Sequence, residues 1–185
     1  MKYKQLIIKG FFLFFAVQFT LATAYAQVAS KPQDPSPTSV DYPLPYPGML
    51  PDNPLYFLKL FRDDLTSFFL SKPLDRAQFD LMQSDKNVEA SYLLVTQEVG
   101  KTDLAFKTFS QAQDAFAQAI DQTDSAKKQG YSTSEIDKKL SFSNQKHLQI
   151  LQSIGQQTGQ KNSQVFQNER SRIETFTKQI DALRQ

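Results

Sequence analysis

Eight of the nine prolines lie between Pro32 and Pro54, and from Pro54 to Gln185 the only further proline is Pro73. Proline fixes φ, removes an amide donor and biases the preceding residue away from helical geometry. Residues 27–53 therefore form a proline-rich tether, extended or disordered, with polyproline II character and semi-rigid reach. Nothing comparable interrupts the chain afterwards, so residues 54–185 are free to build long helices. The tether has a second reading. Tyr42-Pro43-Leu44-Pro45-Tyr46-Pro47 interleaves aromatics with prolines as ligands of proline-recognising grooves do, which makes Tyr42 and Tyr46 candidate contact residues. Plain spacers share that composition.

The residues ahead of the tether have the layout of an export signal. Lys2, Lys4 and Lys9 precede an apolar core from Gly10 to Ala24, and Ala24-Tyr25-Ala26 supplies the small residues that signal peptidase reads. Residues 1–26 are thus a predicted signal peptide, cleaved between Ala26 and Gln27, and the product is extracytoplasmic: secreted, periplasmic or in the cell envelope. The core interrupted by Gln18 is shorter than the roughly 20 apolar residues a spanning helix needs.

Cleavage changes the charge balance. The chain has 21 basic and 19 acidic residues, and losing the three signal lysines leaves 18 against 19, a net charge of −1. With no cluster of Lys and Arg, the chain lacks the electrostatic footprint of a nucleic-acid binder. It contains no cysteine, which excludes disulfides, thiolate catalysis, thiolate metal sites and a lipidated cysteine at the cleavage point. Stability outside the cytoplasm must come from packing.

Helical periodicity dominates after Pro54. Asp52 or Asn53 can cap a helix with Pro54 in its first turn. Leu58, Phe61, Leu65 and Phe68 then recur at spacings of 3, 4 and 3, while Leu55, Tyr56, Phe57, Leu60, Phe69 and Leu70 widen the apolar side. Such a helix, 54–70, is too apolar to stand alone in water. Pro73 opens a second, 73–99, with a seam of Leu74, Ala77, Leu81, Val88, Tyr92, Val95 and Val99. A third, 102–129, alternates small and large along Ala105, Phe109, Ala112, Phe116, Ala119, Thr123 and Ala126. A close neighbour should receive those knobs and approach at the alanines.

Gly130 ends the third helix, and Ser132-Thr133-Ser134-Glu135 has capping-box spacing for a fourth, 133–158, carrying Ile136, Leu140, His147, Leu148, Leu151 and Ile154. Gly155 and Gly159 weaken its end. A fifth, 163–184, presents Phe166, Ile173, Phe176, Ile180 and Leu183. No strand pattern appears. The expected fold is all-α, an antiparallel helical bundle or elongated helical hairpins of about five helices.

Leu50-Pro51-Asp52-Asn53-Pro54-Leu55-Tyr56-Phe57-Leu58-Lys59, followed by an aromatic helix, the Lys72-Pro73 break and a long helix through Arg76 to Leu94, resembles an uncharacterised family of exported bacterial proteins. Its members open with a motif close to Leu-Pro-Asp-Ser-Pro-Leu-Tyr-x-Leu-Lys, and the likeness covers roughly residues 49–125. The resemblance implies a helical extracytoplasmic domain and carries over no catalytic residue. Asn53 stands where relatives have serine, and charge after Asn87 is sparser than theirs.

Candidate chemistry is thin. The lone histidine, His147, is read as excluding a catalytic triad and a multi-histidine metal site, and as a helix-packing residue with one hydrogen bond. Asp63 and Asp64 are adjacent on a helix and diverge, with Arg62 beside them. Asp114, Asp121 and Asp124 share a sector too straight to wrap a calcium ion and read as a solvated face. No phosphate-binding glycine loop, nucleophile elbow or zinc motif is present, and tryptophan is absent. No catalytic residue, metal or cofactor is expected.

The last helices use uncharged amides such as Gln145, Gln149, Gln152, Gln156, Gln157, Gln160, Gln164 and Gln167, a drift of surface composition or a self-association surface. The functional expectation is a non-catalytic exported protein that binds a protein or envelope partner. The alternative is peripheral docking on a membrane through residues 55–70, with Phe57, Phe61, Phe68 and Phe69 entering the interface. Against it stands a polar face whose Lys59 and Arg62 are offset by Asp63 and Asp64.

Overall fold

The computed structural model describes residues 40–97 and 100–184; the predicted signal peptide, residues 27–39 of the tether and Val99 lie outside them. The described residues form five helices and no strand: α1 (Tyr56–Phe69), α2 (Pro73–Thr96), α3 (Thr102–Lys128), α4 (Ser134–Thr158) and α5 (Gln164–Leu183). The chain is all-α, as its periodicity predicts.

Local chemistry sets the breaks. Lys72 is extended and Pro73 starts α2, where its missing amide hydrogen costs nothing. Arg76 Nε donates to the carbonyl of Leu70 at 2.6 Å, tying the end of α1 to the first turn of α2. Gly130 and Gly159, following α3 and α4, have φ of 83° and 69°. Two expected caps differ. Asn53 Oδ1 accepts the Leu55 amide at 2.9 Å, so it serves the turn leading into α1 and leaves the helix to begin at Tyr56. The capping box at Ser132 does not form, because Thr133 is the residue flanking α4 and the Ser-x-x-Glu spacing is out of register by one; the Thr133 hydroxyl donates to Asp137 Oδ2 instead. Ser163 does cap α5, accepting the Phe166 amide at 3.3 Å.

Helices α2 and α3 form one antiparallel hairpin, and α4 and α5 another. The hairpins stack with α2 beside α4 and α3 beside α5, each pair running in the same direction. Successive bonds record that register: Asp85 meets Ser143 across α2 and α4, while Arg172 meets Asp114 and the Lys127 ammonium meets the carbonyl of Leu183 across α3 and α5. Short connections give antiparallel neighbours within each hairpin, but α3 and α4 meet mainly across the diagonal of the core.

The α2–α3 interface is the most extensive. Ala77, Ser84 and Ser91 on α2 and Ala105, Ala112 and Ala119 on α3 are all buried at seven-residue intervals. Small residues on both sides let the backbones come close enough for Ser84 Oγ to donate to the carbonyl of Ala112 at 2.7 Å. Phe109 and Phe116 fill the space between, fully buried, each worth about 1.5–3 kcal/mol in transfer free energy. Gly155 has a similar role on α4. A Cβ there would lie 2.6 Å from the Phe166 ring, so the residue expected only to weaken a helix end admits an aromatic from α5.

The core is in two parts. One gathers Leu81, Phe116, Ile120, Ile136, Leu140, Phe176 and Ile180; the other gathers Val88, Phe106, Phe109, Leu151, Ile154, Phe166 and Ile173. Buried polar residues from three helices lie among them: Ser84 and Asp85, Gln113, then Ser143, Asn144 and His147.

Candidate interaction surface

Helix α1 is seated inside out. Its buried or half-buried residues are Tyr56, Lys59, Asp63 and Ser67, spaced 3, 4 and 4, a polar stripe turned inward. Phe57, Phe61, Phe68 and Phe69 are 60%, 67%, 79% and 72% exposed, and Leu55, Leu58, Leu60 and Leu65 are exposed with them. At 100° per residue, Phe57, Phe68, Phe61, Leu65, Leu58 and Phe69 fill a continuous arc of about 120°. Among the described residues α1 shares no extensive interface with α2 to α5. The expectation that this helix is too apolar to stand in water thus meets a structure in which the body of the protein does not cover it. An exposed apolar surface of this kind marks an interaction site. No helix among the described residues is long and apolar enough to cross a membrane.

The stretch before α1 is extended, as the prolines require, yet residues 40–53 are attached to the bundle. Tyr42 lies in the groove between α2 and α4, its hydroxyl donating to Asp85 Oδ2 at 2.6 Å, while Leu44 packs on the second core cluster and Pro47 is buried. Burial, reinforced by the Asp85 carboxylate, raises the Tyr42 hydroxyl pKa above the ordinary tyrosine value. Asp52 forms a 2.5 Å ion pair with Lys101 ahead of α3. Of the two tyrosines read as ligands for an external groove, Tyr42 is occupied internally and Tyr46 is 80% exposed.

Asp85 anchors that attachment. Its Oδ1 accepts from Ser143 Oγ at 2.5 Å and lies 2.9 Å from His147 Nε2; His147 Nδ1 is 3.4 Å from Gln113 Nε2, and the Phe116 ring stacks edge-on at 5.1 Å. A serine, a histidine and an aspartate do come together, so the reading that one histidine excludes such a set was too strong: a triad needs only one. The geometry is nevertheless not that of a nucleophilic relay. Ser143 and Asp85 both address Nε2, whereas a relay places serine and carboxylate on opposite ring nitrogens, and both Ser143 and His147 are fully buried. The distances fit an imidazole whose Nε2 donates to Asp85 and whose Nδ1 accepts from Gln113. His147 is a packing residue, with three polar partners instead of the single bond expected.

Three of the other candidate carboxylates are paired with cations. Arg62 holds Asp63 at 2.7 Å, Arg172 holds Asp114 at 2.6 Å, and Lys128 pairs with Asp124. The described residues contain no group of three or more His, Cys, Asp or Glu able to hold a metal ion.

Beside α1 the inward stripe borders a cleft of about 410 Å³. The arm from Tyr46 to Met49 forms one wall, and Leu58, Lys59, Arg62 and the α2 residue Lys86 form the other. Lys59 is 8% exposed and its ammonium has no hydrogen-bond partner; it sits 5.1 Å from the centre of the Tyr56 ring. Burial lowers its pKa below the ordinary lysine value, Asp63 opposes that, and the Lys86 and Arg62 cations add to it. Sequence reasoning found Lys59 and Arg62 but not Lys86, which joins them only through the fold.

Comparisons with protein-family models, curated proteins and solved structures return no match.

Proposed function

We propose that the chain is an exported, non-enzymatic binding protein whose contact surface is the outward apolar face of α1. The inverted seating of this helix carries the reading. A stripe containing Lys59 and Asp63 is turned inward while four phenylalanines face solvent, an arrangement that costs free energy in the isolated protein and is recovered only when another surface covers the arc. The well-packed bundle serves as the carrier, and the arm along α2 and α4 fixes where α1 begins. The predicted export signal in residues 1–26 supports a contact outside the cytoplasm, with a protein or the envelope itself as partner.

The test is fractionation of cells producing the full chain, beside a variant with Phe57, Phe61 and Phe68 changed to serine. The expected result is wild-type protein retained with the envelope, the variant released, and equal melting temperatures for both. A variant that melts many degrees lower would show that these rings stabilise the fold, and the reading would fall.

A further inference from the structure

We propose that α1 docks on an anionic lipid surface, with the cleft of Lys59, Arg62 and Lys86 receiving a lipid phosphate at the edge of the aromatic face. The proposal rests on α1 being the contact surface and names what covers it. The sequence sets Lys59 and Arg62 against Asp63 and Asp64, too little positive charge for a lipid-bound helix. The fold changes that balance. Lys86 of α2 joins the cleft, giving three cations and no acid in its lining; Asp63, on the inward stripe beside it, is held by Arg62. Asp64 is exposed on the opposite border of the arc, where it limits α1 to the interfacial depth.

A buried ammonium without an acceptor is rare because its desolvation is uncompensated. Lys59 is in that condition beside a cleft that it lines with two more cations; its ammonium is shielded from solvent, and a turn of the flexible lysine stem into the cleft would bring it to an oxyanion that supplies the missing acceptor. Leu58 and Arg62 border both cleft and arc, so one approach buries the phenylalanines in the acyl boundary and brings the cations to headgroup level. A second copy of the chain fits this edge less well, since a two-fold contact would bring an identical set of cations to it.

The exported chain would be floated with phosphatidylcholine vesicles and with vesicles of phosphatidylcholine and phosphatidylglycerol, at matched ionic strength. Expected is binding at least tenfold stronger to the anionic vesicles, loss of binding in the triple Phe→Ser variant, and affinity about fivefold weaker for each of Lys59→Met and Lys86→Gln. Lys59→Met removes a buried unpaired charge and should melt no lower than wild type; Lys86→Gln gives an independent reading. Inorganic phosphate should not release the protein, and release by it would make the cleft a site for the free ion and overturn the lipid assignment. Equal binding to neutral vesicles, or lysine variants that bind like wild type, would remove the phosphate site and leave the contact surface standing. No flotation, with envelope retention still dependent on the phenylalanines, would assign the arc to a protein or a second copy. No flotation and no such retention would remove both.

Discussion

Helices α1 and α3 are built from the same aromatic material and end on opposite sides of the protein surface. Each sets phenylalanines seven residues apart, Phe61 and Phe68 on α1, Phe109 and Phe116 on α3. The α3 pair is fully buried and the α1 pair is among the most exposed large side chains. The difference lies in what separates the rings. On α3 they alternate with Ala105, Ala112 and Ala119, opposite Ala77, Ser84 and Ser91 of α2, so a second backbone can approach and enclose them. On α1 the intervening positions are Leu58 and Leu65. A face of large residues with no recess offers a neighbouring helix nothing to interlock with, but it can spread on a deformable or complementary surface.

That contrast can be broken most directly by truncation. Phe116→Ala should cost about 3–5 kcal/mol in urea unfolding, whereas Phe68→Ser should stay within about 0.5 kcal/mol of wild type; equal losses would mean that α1 belongs to the core in solution. Next in size is Asp85→Ala, which leaves Tyr42, Ser143 and His147 without their shared acceptor. It should lower stability by about 3 kcal/mol and expose residues 40–53 to protease. If α1 then also becomes protease-sensitive, its inverted seating depends on the arm as well as on its own stripe.

Gly155→Ala tests the rule about small residues, because its new Cβ must displace the Phe166 ring. A loss of about 1–3 kcal/mol is expected, and a neutral result would weaken the explanation given for α1. The smallest effect is on the α2 side of the α1 junction. Asp80 lies one turn beyond Arg76, and burial pushes its carboxyl up to about 6 from 3.8, with Arg76 opposing. A raised acid favours the folded state below pH 3.8 and loses that contribution as pH rises through about 6. Asp80→Asn should therefore stabilise the protein at neutral pH by about 1 kcal/mol, allowing for solvent screening, and have no effect near pH 3; a gain that persists at low pH would point to another cause.

Much of the bundle was legible because helical period and helix breakers are local. The predicted seams of α3 and α5 are the buried ones, from Ala105 to Ala126 and from Phe166 to Leu183. The inversion of α1 was not legible, since periodicity identifies a face without saying what covers it. Lys86 was missed because its place beside Lys59 depends on how α1 turns back at Pro73. The polar cluster left a trace that could have been followed. The predicted seam steps a full seven positions from Leu81 to Val88 and again from Leu140 to His147, and those gaps hold Ser84, Asp85, Ser143 and Asn144. Two helices with matching interruptions are a signal that polar side chains meet inside. Tyr42 gave no such signal, because a tyrosine among prolines has no period.

The attachment at Tyr42 also decides how the protein bears load. A pull on the chain ahead of Val40 enters the body at the groove between α2 and α4, alongside Asp85 near the middle of α2, and not at the start of α1. The arm then resists in shear, through a charge-assisted bond and the buried Pro47, before tension reaches Pro54. Force applied ahead of Val40 would thus be borne first at the α2–α4 groove, before it reached α1.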